Sequence, residues 1–193
     1  MGIETLLFDI NKPESMKPWL LNILACPMDR HHPLDAYFFK YSPEKEGSKS
    51  SLKNEYNILA KQVVDDVISP TSIMNIQDLS GNTNSLQKFE VMLKALHVLI
   101  ENKLKGRVYL VKEYSDSLGF LYQYLNMHEV EEGLIYCQEC GRWYPIGCSL
   151  VSVPEMLPDN LREKDKELDW MRKWKVKIPE YILKEGKPYN LST

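Results

Sequence analysis

The chain has 193 residues, 44% of them hydrophobic and 26% charged, which is typical of a globular protein with one domain and an insertion, or two small domains. Its formal net charge of −3 argues against a polynucleotide-binding role for the whole chain, because such proteins carry a basic surface. No apolar run reaches the ~18 residues of a membrane span, and the acidic start does not resemble a secretory signal. We therefore expect a cytoplasmic protein.

The first third of the chain predicts a short helix followed by a strand. Residues 1–15 are weakly patterned and predict a tail or an edge strand. Ser15 is placed to cap a helix over 16–24, whose apolar face comprises Trp19, Leu20, Ile23 and Leu24. Residues 34–41 alternate and predict a strand with two partly apolar faces.

The middle of the chain is predicted to be mainly helical. Apolar residues recur at helical steps in 55–68, after a loop at 42–54, and residues 69–83 predict a second loop. The strongest helix is predicted over 86–105, with Asn84 or Ser85 as its cap and Gly106 as its stop. Its expected inner stripe comprises Leu86, Phe89, Leu93, Leu96, Ile100 and Leu104.

The last part predicts a strand over 107–114, a helix over 118–125 capped by Ser117, and a hairpin turn at Glu132-Gly133. A charged helix is predicted over 159–177, with acidic residues early and basic residues late, as the helix dipole prefers. Residues 178–193 are expected to be extended.

Two cysteines in the second half have the spacing of a metal-binding turn. Cys137 and Cys140 stand two residues apart with Gly141 directly after, which predicts a zinc knuckle. Cys26, followed by Pro27, is expected to belong to the other knuckle of the same site, in which Asp29 stands at the position of the second cysteine. The candidates for the fourth ligand are Asp29, His31, His32 and Cys148.

The same residues allow two alternatives to a structural zinc. These side chains could instead pack, hydrogen-bond or form a disulfide in a fold that needs no metal. A catalytic zinc would need an open coordination position and a nearby base, and Glu139 in the knuckle is expected to point outward.

An apolar group surrounds the second knuckle and predicts a partner-binding surface, because a thin domain cannot cover all of it. The alternative is that the central helices cover it. The expected partner-binding residues are Trp143, Ile146, Val153, Pro154, Met156 and Leu157.

Three segments together resemble a known family. Residues 17–27 (KPWLLNILACP), 133–146 (GLIYCQECGRWYPI) and 153–157 (VPEML) are similar to motifs of small bacterial zinc-ribbon-like proteins and of their archaeal and eukaryotic relatives, the methyltransferase-activating subunits. Those relatives bind several S-adenosylmethionine-dependent methyltransferases acting on tRNA, rRNA and a release factor. The chain departs from the family at Asp29 and in a longer loop that contains Cys148.

The resemblance implies an α+β protein in three parts. Residues 16–42 and 127–158 would form a zinc-ribbon-like small antiparallel sheet, 43–126 an inserted helical subdomain, and 159–193 a C-terminal helical extension. The chain would be a non-catalytic activating subunit in a heterodimer with a methyltransferase. S-adenosylmethionine would be bound by that enzyme and not by this chain alone, and neither direct nucleic-acid contact nor a membrane is implied.

Two other functions each lack a feature that the sequence would have to show. A nucleic-acid-associated zinc-ribbon factor in transcription or translation would need a basic face, but residues 130–146 contain one basic residue, Arg142, against Glu131, Glu132 and Glu139. A hydrolase using Cys148 lacks any base paired with that cysteine in the sequence.

Overall fold

The computed structural model describes residues 15–43, 72–149 and 154–192. The predicted helix over 55–68, nearly all of the tail at 1–15, most of the loop at 42–54 and Val153 lie outside the described residues.

A four-stranded sheet forms the centre of the described fold, with strand order β2-β1-β3-β4. Its strands are β1 Asp35–Tyr41, β2 Ile76–Asp78, β3 Val130–Tyr136 and β4 Trp143–Ile146. Strand β3 is antiparallel to both β1 and β4, whereas β2 is parallel to β1. The predicted mixed class with a ribbon-like sheet is confirmed. The predicted loop at 69–83 is wrong over β2, because three residues are too few to display an alternating pattern.

Strand β1 is buried on both faces, as its two apolar faces predicted. Ala36 and Phe38 belong to one hydrophobic cluster, and Tyr37 and Phe39 belong to another on the opposite face. Neighbouring side chains of a strand point to opposite sides. The sheet therefore lies between two layers.

Three helices cover the first face of the sheet: α1 Thr83–Asn102, α2 Arg107–Glu113 and α3 Ser115–Met127. The buried leucines and methionine that α1 and α3 contribute to this cluster are Met92, Leu96, Leu99, Leu118, Leu121 and Leu125. Strand β2 comes from the predicted insertion but joins the same sheet as the ribbon strands. The division into three parts stays a prediction.

Helix α1 is displaced from its predicted bounds by a few residues. Asn82 is the cap, and its side chain accepts hydrogen bonds from the N–H groups of Asn84 and Ser85, the two residues predicted to cap. The inner stripe also differs, because Leu104 lies in a 3-10 turn after α1 and is 93% exposed. The buried residues of α1 are Met92, Ala95, Leu96 and Leu99.

The strand predicted over 107–114 is wrong, since helix α2 occupies this stretch. Gly106 ends the preceding turn with φ 85°, a conformation that favours glycine, and the chain re-enters a helix directly after it. Leu110 is buried while Val108 is exposed, so the apparent alternation reflected one face of a short helix. The predicted cap at Ser117 is also wrong, because α3 begins at Ser115.

Gly133 lies within β3 and not in a hairpin turn. A Cβ at this position would come within 2.7 Å of the backbone oxygen of Tyr37 on β1. The glycine therefore serves the close approach of two strands, which a sequence pattern cannot distinguish from a turn.

The start of the described chain differs from the predicted helix over 16–24. Met16 pairs with Val130 of β3 through two backbone hydrogen bonds of 3.0 and 2.7 Å, and a 3-10 helix spans Pro18–Asn22 without a side-chain cap. Three residues of the predicted apolar face, Trp19, Leu20 and Leu24, pack against a hydrophobic cluster of the core. Ile23 is 68% exposed and Leu21 is buried instead, so the prediction is wrong at Ile23.

The C-terminal extension covers the second face of the sheet. It contains a 3-10 turn at Asp159–Leu161, helix α4 Lys164–Trp174 and helix α5 Glu180–Glu185. The helix predicted over 159–177 is therefore shorter than expected, and the extended stretch predicted after it holds α5. The buried residues of this second cluster are Tyr37, Phe39, Leu134, Trp143, Trp170, Met171, Ile178 and Ile182.

Among the described residues, the helices are too short or too polar to cross a lipid bilayer.

His128, which follows α3, is held neutral by its surroundings. Its ring lies beside those of Tyr41 and Tyr124, with centroids 6.1 and 5.2 Å away. Nδ1 lies 3.4 Å from the backbone oxygen of Gln123, whereas Nε2 is buried without a hydrogen-bond partner among the described residues. Burial lowers the pKa of His128, because a charged ring would lose its water.

Acidification should therefore destabilise the fold through His128. The folded pKa lies below the ~6.5 of an unfolded histidine, so above pH ~6.5 the neutral ring makes its full contribution to the free energy of unfolding. This contribution is lost as the pH falls through the folded pKa. Nearby Lys88 strengthens the shift and Asp78 opposes it. Thermal melts at about pH 7.5 and about pH 5.5 should show a smaller fall for His128→Gln than for the native chain. Equal falls would contradict this assignment.

Candidate metal centre

The loop at residues 26–31 closes in a defined turn before β1. The N–H of Cys26 donates to the oxygen of His31 at 3.0 Å, and the N–H of Arg30 donates to the oxygen of Cys26 at 2.8 Å. Asp29 occupies the tip of this turn and accepts the N–H of His31 at 3.0 Å. The turn directs Cys26 and Asp29 toward the end of β3.

The turn between β3 and β4 repeats the same backbone pattern. The N–H of Cys137 donates to the oxygen of Arg142, five residues on, at 2.8 Å. The N–H of Gly141 donates to the oxygen of Cys137, four residues back, at 2.9 Å. In each turn the second ligand position comes three residues after the first, so Asp29 is the structural equivalent of Cys140.

The two turns also share one left-handed residue at equivalent positions. Arg30 has φ 63° and Gly141 has φ 72°. Only glycine adopts this conformation without steric cost, and an L-residue there costs about 1–2 kcal/mol. The second turn therefore has the favourable residue, whereas the first holds Arg30 under strain.

Replacing Arg30 by glycine should relieve this strain and stabilise the chain. Part of the gain is offset because glycine has more freedom in the unfolded chain, so we expect about 0.5–1 kcal/mol net. Chemical denaturation measures the difference. Arg30→Ala is the matched control: it removes the charge but keeps the Cβ, and it should give no stabilisation. A gain for the alanine variant equal to that of glycine would contradict the strain argument.

The structure brings four predicted ligand atoms together. Cys26 Sγ lies 3.6 Å from Cys140 Sγ, and Cys137 Sγ lies 3.4 Å from Asp29 Oδ2. All four ligand atoms lie within 4.8 Å of one another, so these side chains could hold a metal ion. The four cysteines of the chain, including these three, are free and form no disulfide.

The other candidates for the fourth ligand lie outside this cluster. The group of potential ligands found among the described residues does not contain His31, His32 or Cys148. His32 Nδ1 instead lies 3.0 Å from the oxygen of Leu24. Cys148 Sγ lies 3.9 Å from the oxygen of Lys166 in the C-terminal extension, and burial raises its pKa to about 11.

The electrostatics of the centre favour a cation. The hydrogen bond from His31 N–H lowers the pKa of the exposed Asp29 to about 2, so this carboxylate is charged. Burial raises the pKa of Cys137 to about 12 and raises that of Cys140. Without a cation, the Cys137 thiol stays neutral and donates to Asp29. A metal ion between the four groups would supply the positive charge that buried thiolates require.

Two contacts around the centre were not expected from the sequence. Tyr144 OH lies 3.3 Å from Cys26 Sγ. The Arg142 guanidinium donates to both carboxylate oxygens of Asp159, with Nη2 to Oδ2 at 2.8 Å, and this lowers the pKa of Asp159. The second contact ties the C-terminal extension to the knuckle, and no spacing rule connects residues so far apart.

A family model described as Trm112p-like protein matches residues 17–147, which is more than half of the chain. The chain belongs to this family. The match to the Trm112p-like family includes both turns of the metal centre and ends before α4 and α5. Members of this family are non-catalytic activators of methyltransferases. Among curated proteins, no match to the chain is found.

The expected partner-binding residues of this Trm112p-like chain fall into different environments. Trp143 and Ile146 have 0% exposure and belong to the two hydrophobic clusters of the chain itself, so the description of them as surface residues needs correction. Pro154 is also buried. Met156 and Leu157 retain partial exposure. Trp143 is covered by the C-terminal extension, a layer that a bare zinc ribbon lacks. Ile146 lies on the other face of the sheet, in the cluster that the central helices cover.

Proposed function

We propose that this Trm112p-like chain is a non-catalytic subunit that activates and stabilises S-adenosylmethionine-dependent methyltransferases acting on tRNA and other translation components. The family match over both metal-binding turns is the observation that carries the proposal. The chain would form a heterodimer with its enzyme in the cytoplasm. The enzyme would bind S-adenosylmethionine and carry the catalytic groups.

We further propose that the metal centre holds structural zinc. Tetrahedral zinc with Zn–S bonds of about 2.3 Å and Zn–O bonds of about 2.0 Å separates two sulfurs by about 3.8 Å and a sulfur from an oxygen by about 3.5 Å. The separations of 3.6 Å between Cys26 and Cys140 and 3.4 Å between Cys137 and Asp29 fit this geometry. Three thiolates and one carboxylate would fill the four positions, as in a closed structural site.

Zinc, when bound, would supply the cross-link between the two turns. The chain's own contribution is to hold its ligands in place through the paired backbone hydrogen bonds of residues 26–31 and 137–142. This cross-link would hold the loop before β1 against the turn after β3.

Met156 and Leu157 are the proposed contacts with the methyltransferase. Both retain partial exposure. Leu157 and Pro145 of β4 line a common groove, and Met156 packs against the hydrophobic cluster of the first face. Trp143 and Ile146 are fully buried on opposite faces of the sheet, so neither is a proposed contact with the partner. Val153 precedes the described part of this segment and is also a proposed contact.

Lysine in place of Met156 should abolish binding to the methyltransferase, because a charge would enter an apolar interface without a partner. Val176→Lys is the matched control, since it introduces the same side chain in place of an apolar residue that is 91% exposed and lies outside the groove. Pull-down with the enzyme, beside a thermal melt of each variant alone, makes the comparison. Equal binding by both variants would remove Met156 from the interface. Loss of folding in Met156→Lys would place its main role in the intrachain core.

Two measurements on the isolated chain test the proposal directly. Elemental analysis of protein purified without chelator should find zinc near one ion per chain. A folded protein with only background metal would contradict the zinc proposal.

Calorimetry with S-adenosylmethionine should show no binding to the chain alone and binding to the heterodimer. Binding by the chain alone would overturn its role as a non-catalytic subunit.

A further inference from the structure

The outer edge of β4 is occupied by the chain's own C-terminal residues. Lys187 pairs in parallel with Arg142: its N–H donates to the oxygen of Gly141 at 2.9 Å, and its oxygen accepts the N–H of Trp143 at 3.1 Å. The indole Nε1 of Trp143 donates to the oxygen of Tyr189 at 2.8 Å. At Lys187, the tail thus occupies the edge position that a fifth strand would take beside β4.

The pairing with Lys187 uses the backbone N–H of Trp143, which points away from β3. Neighbouring residues of a strand direct their backbone groups to opposite sides, so Trp143 and Pro145 face outward while Tyr144 and Ile146 face β3. Pro145 has no N–H, and within β4 this leaves Trp143 as the outward donor. A strand from another protein therefore cannot pair here while Lys187 accepts that N–H.

Gly186 allows the tail to reach the edge. A Cβ at this position would lie 2.4 Å from the backbone oxygen of Ile182 and 2.9 Å from Cδ1 of Trp143. No side chain fits at these distances without moving the backbone. The position of the tail on β4 therefore depends on a glycine at 186.

The tail is separable from the layer that precedes it. Helices α4 and α5 are anchored by Trp170, Met171 and Ile182, which are buried in the second hydrophobic cluster. Beyond Gly186, the tail contributes Tyr189 and Leu191, which are only partly buried. The N–H of Leu191 donates to the oxygen of Leu183 in α5 at 2.8 Å, and the Tyr189 hydroxyl donates to the oxygen of Arg162 at 3.3 Å. Release of the tail would break these bonds, whereas the buried side chains of α4 and α5 would keep those helices on the sheet.

We propose that residues 186–191 form a displaceable plug on the β4 edge, which a strand of the methyltransferase must replace for the sheet to continue into the partner. This inference rests on the proposed function. The groove lined by Pro145 and Leu157 joins the plugged edge to the proposed docking surface, so one partner could engage both. The replacing strand would run parallel to β4, as Lys187 does. The plug then favours partners that bind tightly enough to displace it.

Hydrogen exchange on the full native chain tests the plug without any partner. The N–H of Trp143 faces the tail and that of Tyr144 faces β3, so the two neighbouring amides report the two sides of one strand. Local release of the tail should make the Trp143 amide exchange at least about 10-fold faster than that of Tyr144. Equal rates set by global unfolding would overturn the plug.

A second experiment tests its competition with the partner. Gly186→Ala should unseat the tail and raise the affinity of the full chain for its co-purifying methyltransferase by about 10-fold, whereas Lys184→Ala, at an exposed position of α5, should change nothing. Unchanged or weaker binding by Gly186→Ala would overturn the competition. If neither the native nor the variant chain binds a methyltransferase, the proposed function has failed, and hydrogen exchange still decides whether the plug opens.

Discussion

Serine in place of Cys137 should cost this chain more stability than a substitution at any exposed position. Cys137 is fully buried, and its ligand cluster joins it to Cys26, more than a hundred residues earlier. Metal binding contributes about 10–16 kcal/mol to the folding free energy of isolated zinc fingers. This chain also has a helical core, so we expect only part of that free energy to be lost with the metal. We expect a loss of about 5 kcal/mol and a fall in Tm of roughly 10–20 °C, measured beside zinc content.

Cys148→Ser is the matched control for this result. It removes one thiol from the same chain, but from a position outside the ligand cluster. Zinc content and Tm should stay unchanged in this variant. A native zinc content in Cys137→Ser, or an equal loss of zinc in Cys148→Ser, would contradict the assignment of the ligands.

Asp29→Cys should retain the metal and bind it more tightly, because a thiolate replaces a carboxylate at the equivalent position.

Alanine in place of Trp143 should be nearly as damaging, although this residue lies outside the metal centre. The indole has no exposed surface, stacks on Trp170 at a centroid distance of 6.2 Å and lies 4.9 Å from the guanidinium carbon of Arg162. It also donates to the oxygen of Tyr189. Truncation of a buried aromatic costs about 3–5 kcal/mol, and chemical denaturation of the isolated chain measures it.

This prediction separates two roles for Trp143. The apolar group around the knuckle predicted a partner contact, whereas the structure places the indole between the sheet and the C-terminal extension. Val176→Ala, at an exposed position of the same extension, should change stability by less than about 0.5 kcal/mol and serves as the control. An unchanged stability of Trp143→Ala with lost partner binding would contradict the core assignment.

The local features of this fold could be predicted from the sequence. Cys137, Cys140 and Gly141 define their turn by spacing alone, and Asp29 follows Cys26 by the same interval. Strand β1 was recognisable because its apolar residues occupy both faces. In each case the signal lies within a few consecutive residues, where the backbone geometry is set by neighbours.

The features that failed depend on contacts between distant residues. Strand β2 exists because it pairs with β1, and its three residues carry no pattern of their own. Gly133 resembled a turn residue, but its role is set by the oxygen of Tyr37 on another strand. The burial of Trp143 follows from an extension that lies outside the family match. Such effects appear only when the chain is folded.

Purification of the tagged chain from its native cell, followed by a methyl-transfer assay of the captured complex, tests the central claim most directly. We expect an S-adenosylmethionine-dependent methyltransferase in one-to-one complex with the chain, active on tRNA or another translation component and less active or less stable when expressed alone. Capture of no methyltransferase, or of one whose stability and activity are the same without this chain, would contradict the account.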